Sequence, residues 1–171
     1  MRAVILPGFH FSVGILPRLF TKVQKKLRMG VVFHDNCKYN LNSEDQKDVN
    51  KLFGIGYLPW HHINSVRFGW VYHPPTGRME IWAYWYSKGR REMTYMTDVD
   101  LNEEYIYTIE LNKDNSKHRL TIERNGRVLA ARMITDVKTS SLCYMLHPYF
   151  GGNRRAPHKM TIDIFEDIVK P

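Results

Sequence analysis

One stretch constrains this chain more than any other: Val66 to Tyr86. Val66–Tyr72 and Arg78–Tyr86 are dense in the β-branched and aromatic residues that suit a pleated surface. Between them His73-Pro74-Pro75-Thr76-Gly77 reads as a turn. With Pro74 to Gly77 as the loop, Tyr72 faces Met79, Trp70 faces Ile81, Phe68 faces Ala83 and Val66 faces Trp85. That face is wholly apolar and reads as core. Strand side chains alternate, so the same register puts Ser65, Arg67, Glu80, Trp82, Tyr84 and Tyr86 on the other face. That second face is an aromatic and charged platform, suited to a ligand.

The rest of the chain repeats the pattern. Arg28–His34 and Asn50–Leu58 read as strands, the second with Gly54 and Gly56 where a bulge or a close backbone approach is expected. Ser87-Lys88-Gly89-Arg90 is a turn, and Arg91–Thr97 the next strand. Glu104–Asn112 alternates, with Tyr105, Tyr107, Ile109 and Leu111 on one side. Asn125-Gly126 marks a two-residue hairpin loop, because both positions tolerate positive φ. That loop sets Ile122 opposite Leu129 and Leu120 opposite Ala131, and places these residues with Met133 on the core face. Leu142–Tyr149 and His158–Phe165 close the chain. Asn40–Asp48 is a polar loop with room for a short helix capped by Ser43, and Leu19–Leu27 fits a helical turn or a basic strand. Residues 1–26 are the segment whose pattern says least. Roughly ten short strands with almost no helical period predict an all-β fold, an antiparallel sandwich of the jelly-roll type. One domain over residues 1–171 suffices, since no repeat or linker interrupts the pattern.

Composition narrows the partners. The formal charge of +8 favours an anion: an acidic polysaccharide, a nucleic acid or an anionic surface. Basic residues cluster at Lys22–Arg28, Lys88–Arg91 and Arg154-Arg155. No RNA-binding strand signature is present, so nucleic acid is the less favoured anion. Cys37 and Cys143 form no CxxC, which excludes a zinc site of the usual spacing and predicts two reduced, buried thiols, with one long-range disulfide as the alternative. No metal or cofactor is called for. No apolar run approaches the ~20 residues that cross a bilayer. Pro7, Gly8, His10 and Gly14 interrupt the N-terminal apolar run, and no small-x-small site follows. That pattern leaves a cytoplasmic location, export by another route or a start upstream of Met1 as the expectations.

At Tyr149-Phe150-Gly151-Gly152-Asn153, Ala156-Pro157-His158 and Met160-Thr161-Ile162-Asp163-Ile164 the chain resembles the concanavalin A-like lectin/glucanase jelly-roll superfamily, in particular polysaccharide-lyase-like domains of gut bacteria. Asn50 through His61-His62 and Ser65–Trp70 carry the same likeness, which covers residues 27 to 166. The resemblance implies a sandwich with one flat and one concave sheet, the concave one binding or cleaving carbohydrate. It implies that the platform of the opening hairpin is the place to look. The departures are equally specific. Alginate-lyase-like members carry Arg-x-Glu-x-Arg and Gln-x-His strands, and neither is here. Their Tyr-x-Lys-x-Gly strand is matched only in part by Tyr86-Ser87-Lys88-Gly89, and the Glu-x-Asp-x-x-Glu strand of retaining glucanases is absent.

The candidate ligand-binding residues are therefore Arg67, Glu80, Trp82, Tyr84, Tyr86, His147 and Tyr149. Sugars stack on aromatic rings and hydrogen-bond to Arg, Glu and Tyr. His61, His62, His73 and His147 supply the residue types for a base, but neighbouring histidines on a strand point to opposite faces, so only one of His61 and His62 is expected at a given site. The sequence leaves three functions open: a carbohydrate-binding domain, with an acidic glycan as the ligand that the charge favours; a polysaccharide lyase or hydrolase on the same face; and a non-catalytic structural or protein-interaction module. No residue is assigned a catalytic role.

Overall fold

The computed structural model describes residues 1–15, 18–20, 22, 25–113, 115 and 117–166. Its strands are β1 (Arg2–Ile5), β2 (Ser12–Val13), β3 (Leu19–Phe20), β4 (Lys26–Phe33), β5 (Asn50–Tyr57), β6 (Ser65–His73), β7 (Arg78–Ser87), β8 (Arg90–Val99), β9 (Glu104–Leu111), β10 (His118–Arg124), β11 (Arg127–Ile134), β12 (Cys143–Leu146) and β13 (Met160–Glu166). They form two antiparallel sheets, β11-β10-β9-β4-β13-β1-β2 and β3-β12-β5-β6-β7-β8. The fold is an all-β sandwich, as the strand pattern predicts, with two short 3₁₀ turns among the described residues, Asp35–Cys37 and Glu44–Lys47. Ser43 precedes the second, but its hydroxyl bonds to Asp45 rather than capping the backbone.

The Val66–Tyr86 hairpin has the register that its alternation dictates. Val66 pairs with Trp85, Phe68 with Ala83, Trp70 with Ile81 and Tyr72 with Met79. The turn closes through Thr76 and Gly77 amides donating to the His73 carbonyl. Phe68, Trp70, Met79, Ile81 and Ala83 are fully buried. They meet Phe33, Phe53, Tyr107 and Phe150 between the sheets, in an aromatic cluster with ring centroids 5.1–6.3 Å apart. Tyr105, Tyr107, Ile109 and Leu111 all point into this core. Cys37 and Cys143 are free and buried, and burial pushes the Cys37 thiol up to about 12.

The Asn125-Gly126 hairpin forms, but with a different register. Ile122 pairs with Ala130 and Leu120 with Arg132; Glu123 pairs with Val128. Leu129 is the extra residue of a β-bulge. The bulge turns β11 out of phase with the core, so Leu129 and Met133 are exposed while Leu120 and Ile122 stay buried. A second bulge lies in β8: Ile81 pairs with Thr97 and Trp82 with Tyr95, leaving Met96 unpaired. Residues 16, 17, 21, 23, 24, 114, 116 and 167–171 lie outside the described set. The reading of Leu19–Leu27 is therefore met only at its ends, by β3 and the start of β4.

Candidate functional site

The outer face of the six-stranded sheet carries a groove of about 680 Å³. Its floor is built by register. Arg67 pairs with Tyr84 across β6 and β7 and with Gly54 across β5 and β6; Tyr86 pairs with Arg91 across β7 and β8. Gly54 has no side chain for a physical reason: a Cβ there would collide with the Arg67 Cβ and the Val66 carbonyl. That gap lets Arg67 lie against the sheet, its guanidinium 5.8 Å from the Tyr84 ring centroid. Lys51 reaches in from β5 to lie 5.2 Å from the Tyr84 ring and 5.7 Å from the Tyr149 ring.

One wall is the turn after β5. The Tyr144 hydroxyl is 2.7 Å from His61 Nδ1 and accepts the His61 amide at 3.2 Å, which ties this turn to β12. The opposite wall is the segment after β12. Tyr149 bridges to Phe11 and to Lys51, and its ring stacks on His10 at 5.2 Å. Asn50 holds the end of this wall, accepting from the Gly151 amide at 2.6 Å and donating to the Tyr39 hydroxyl. The N-terminal segment from Phe11 to Ile15 lines the groove beside it as a flank, with half of the Phe11 side exposed.

The electrostatics are one-sided. Lys51, Arg67 and Arg91 line the groove with His61, His62 and His147, and no carboxylate lines it among the described residues. Arg67 is only 6% exposed and its Nε has no hydrogen-bond partner. Burial pulls the guanidinium down to about 10, partly offset by the tyrosines around it. Burial also pulls Lys51 down to about 8, helped by Arg67 and Arg91. His61 is held neutral, pulled to about 4 by burial and by the Arg67 charge. Burial raises the Tyr84 phenol. Both ring nitrogens of His147 and the Ser12 hydroxyl, which line the same groove, are also buried without partners.

Of the residues read from sequence, Arg67, Tyr84, Tyr86, His147 and Tyr149 converge on this groove. Glu80 and Trp82 share the outer face but lie farther along β7, where the Trp82 indole bonds to Glu80 at 3.3 Å and meets the Tyr95 ring. His61 and His62 do not point to opposite faces. They occupy a turn rather than a strand, their rings are 4.2 Å apart, and both line the groove. His73 is bound up in its own hairpin turn with Thr76. Sequence reasoning missed Lys51. The signal was present: Lys51 is the only charged residue in the otherwise neutral run Asn50–Leu58. Phe11 and Asn153 had no such signal, because the folding of distant segments brings them in.

No protein-family model matches the sequence, and no curated protein matches it. The structure is similar to the alginate lyase of Klebsiella pneumoniae, with a TM-score of 0.51 and 10% identity over 90% of this chain. This chain spans 61% of that lyase. It is also similar to a functionally unknown protein from Saccharomyces cerevisiae, with a TM-score of 0.53 and 8% identity over 90% of this chain and 75% of the other. At such identities the likeness is one of fold, and the fold is the concanavalin A-like jelly roll that the closing segments of the sequence resemble.

Proposed function

We propose that the groove is a binding site for an acidic carbohydrate. One observation carries this reading: Arg67 is buried, lacks a carboxylate partner among the described residues, and lies on the floor of an open groove. A buried charge without a partner is costly, and native proteins keep one where a ligand completes it. The planar guanidinium matches carboxylate or sulfate. Tyr86, Tyr149 and Phe11 add rings against which a pyranose can stack, and the groove's volume suits a small saccharide.

A glycan array tests this. Uronic-acid and sulfated glycans should give the hits, neutral glycans should not, and Arg67→Gln should remove them. Hits confined to neutral glycans, or none on acidic ones, would overturn the reading.

A second reading, polysaccharide lyase, is favoured by His61. Its imidazole is neutral, is fixed by Tyr144, and shares the groove with Arg67, so a base and a charge-neutralising group are both present. Ultraviolet absorbance of an unsaturated product on incubation with uronic-acid polymers would reveal it. Hydrolysis by a pair of carboxylates finds no residues here, since the described groove lining contains none.

A further inference from the structure

Lys51 does more in this groove than add a positive charge. Its amine lies between the Tyr84 and Tyr149 rings and against the backbone of Gly151, where a Cβ would come within 2.7 Å of Nζ. Among the described residues it forms no ion pair with a carboxylate: Asp48 acts on it at a distance and is outweighed by Arg67 and Arg91. Partial dehydration and the cationic neighbours Arg67 and Arg91 disfavour the ammonium and outweigh the two tyrosine rings, which favour it. An amine in such surroundings sheds its proton near neutral pH and becomes a nucleophile toward carbonyl carbon. The same two arginines that favour the neutral amine are placed to hold the acidic group of a ligand.

We propose that Lys51 forms an imine with a carbonyl-bearing anion held in the groove, an inference that rests on the acidic-ligand reading above. The ligand class is a carboxylate that also carries a free aldehyde or ketone. A small 2-oxo acid and the open-chain reducing end of a uronic acid share that chemistry. In the first step the Nζ lone pair forms a C–N bond, and the carbonyl π pair moves to oxygen, which takes up a proton as nitrogen gives one up. The carbinolamine then loses its hydroxyl and the second nitrogen proton as water. No electrons are transferred, and hydrolysis reverses the step.

Reductive trapping tests it on the whole protein. Wild type is treated with cyanoborohydride and either glyoxylate, glucuronic acid or acetaldehyde near pH 8, and the modified lysines are located by peptide mass mapping. Lys51 should be labelled by glyoxylate roughly ten-fold or more faster than exposed lysines such as Lys47, since the groove arginines hold the anion beside its amine. Glucuronic acid labelling Lys51 would assign the saccharide source; labelling by glyoxylate alone would assign the small oxo acid. Arg67→Gln should slow glyoxylate several-fold more than acetaldehyde, because it removes both the anion contact and one of the charges that favour the neutral amine. If both aldehydes label Lys51 equally in wild type, the imine stands and the acidic-ligand reading beneath it falls. Labelling no faster at Lys51 than at Lys47 would overturn the proposal, and because the mapping is done on wild type, misfolding of a variant cannot produce that result.

Discussion

Arg67 sets a conflict between stability and binding. A buried guanidinium without a counterion costs folding free energy, and an apolar residue of similar volume is commonly neutral or stabilising by about 1–4 kcal/mol. Arg67→Met should therefore abolish binding of acidic glycans while holding or raising the melting temperature by roughly 2–4 °C per kcal/mol gained, read by calorimetry. A binding loss accompanied by a large drop in melting temperature would mean that Arg67 is structural. Lys51 gives the groove a pH response of definite sign. Its folded value near 8 lies below the ordinary 10.5, so the folded protein releases this proton first as pH rises. Affinity for an anion should fall between about pH 7 and 9. Stability, in contrast, should rise between about 8 and 10.5, because there the unfolded chain binds more protons. Titration calorimetry across that range, with Lys51→Gln as the flat control, separates the two. His118 works at the acid end. It is buried, its Nε2 is 2.6 Å from the Tyr57 hydroxyl, and burial pulls it down to about 4. Folding then disfavours its protonated form, and stability should decline from about pH 6.5 to 4, by on the order of 3 kcal/mol from this residue. Denaturant melts at a series of pH values, with His118→Gln showing a shallower decline, check it.

The two hairpins show what alternation can and cannot disclose. Val66–Tyr86 was legible because every core-facing residue on one strand has an apolar partner on the other, and a slip of one residue would put Arg67 or Glu80 into the core. Lys117–Ile134 lacked that penalty. Val128, Leu129, Ala130 and Ala131 are apolar in succession, so the turn signal alone set the expected register, and a bulge at Leu129 is invisible to it. The consequence for mutation is sharp. Leu129→Lys should change stability by no more than about 0.5 kcal/mol, as for an exposed residue, whereas Leu120→Ala should cost about 2–5 kcal/mol from the core. Chemical denaturation of the pair decides whether β11 belongs to the core. The platform face of β6 and β7 was equally legible, since its residues follow from one register. The walls were not, because Phe11, His61 and Asn153 are delivered by turns and by pairings between segments far apart in sequence.

At the scale of the whole molecule, the cations of the groove and the acids elsewhere are segregated. Arg2 and His34 share Asp163, whose carboxyl is held at about 2 by the Arg2 hydrogen bond, and Arg124 pairs with Glu103 and Asp100. These cations outside the groove are thus paired with acids, whereas no carboxylate lines the groove among the described residues. Two-sheet sandwiches also have four open sheet edges, and here each is interrupted. β2 and β3 are two residues long; β8 and β11 are long, and each carries a bulge, at Met96 and at Leu129. Short or kinked edges give a second copy no straight row of amides to extend. Deleting Met96 and Leu129 together should straighten both long edges and promote assembly, seen as rising light scattering at a protein concentration where wild type stays clear. The bulge that displaces the register of β11 therefore has a colloidal consequence as well: it kinks an otherwise long edge against the addition of a strand from a second copy.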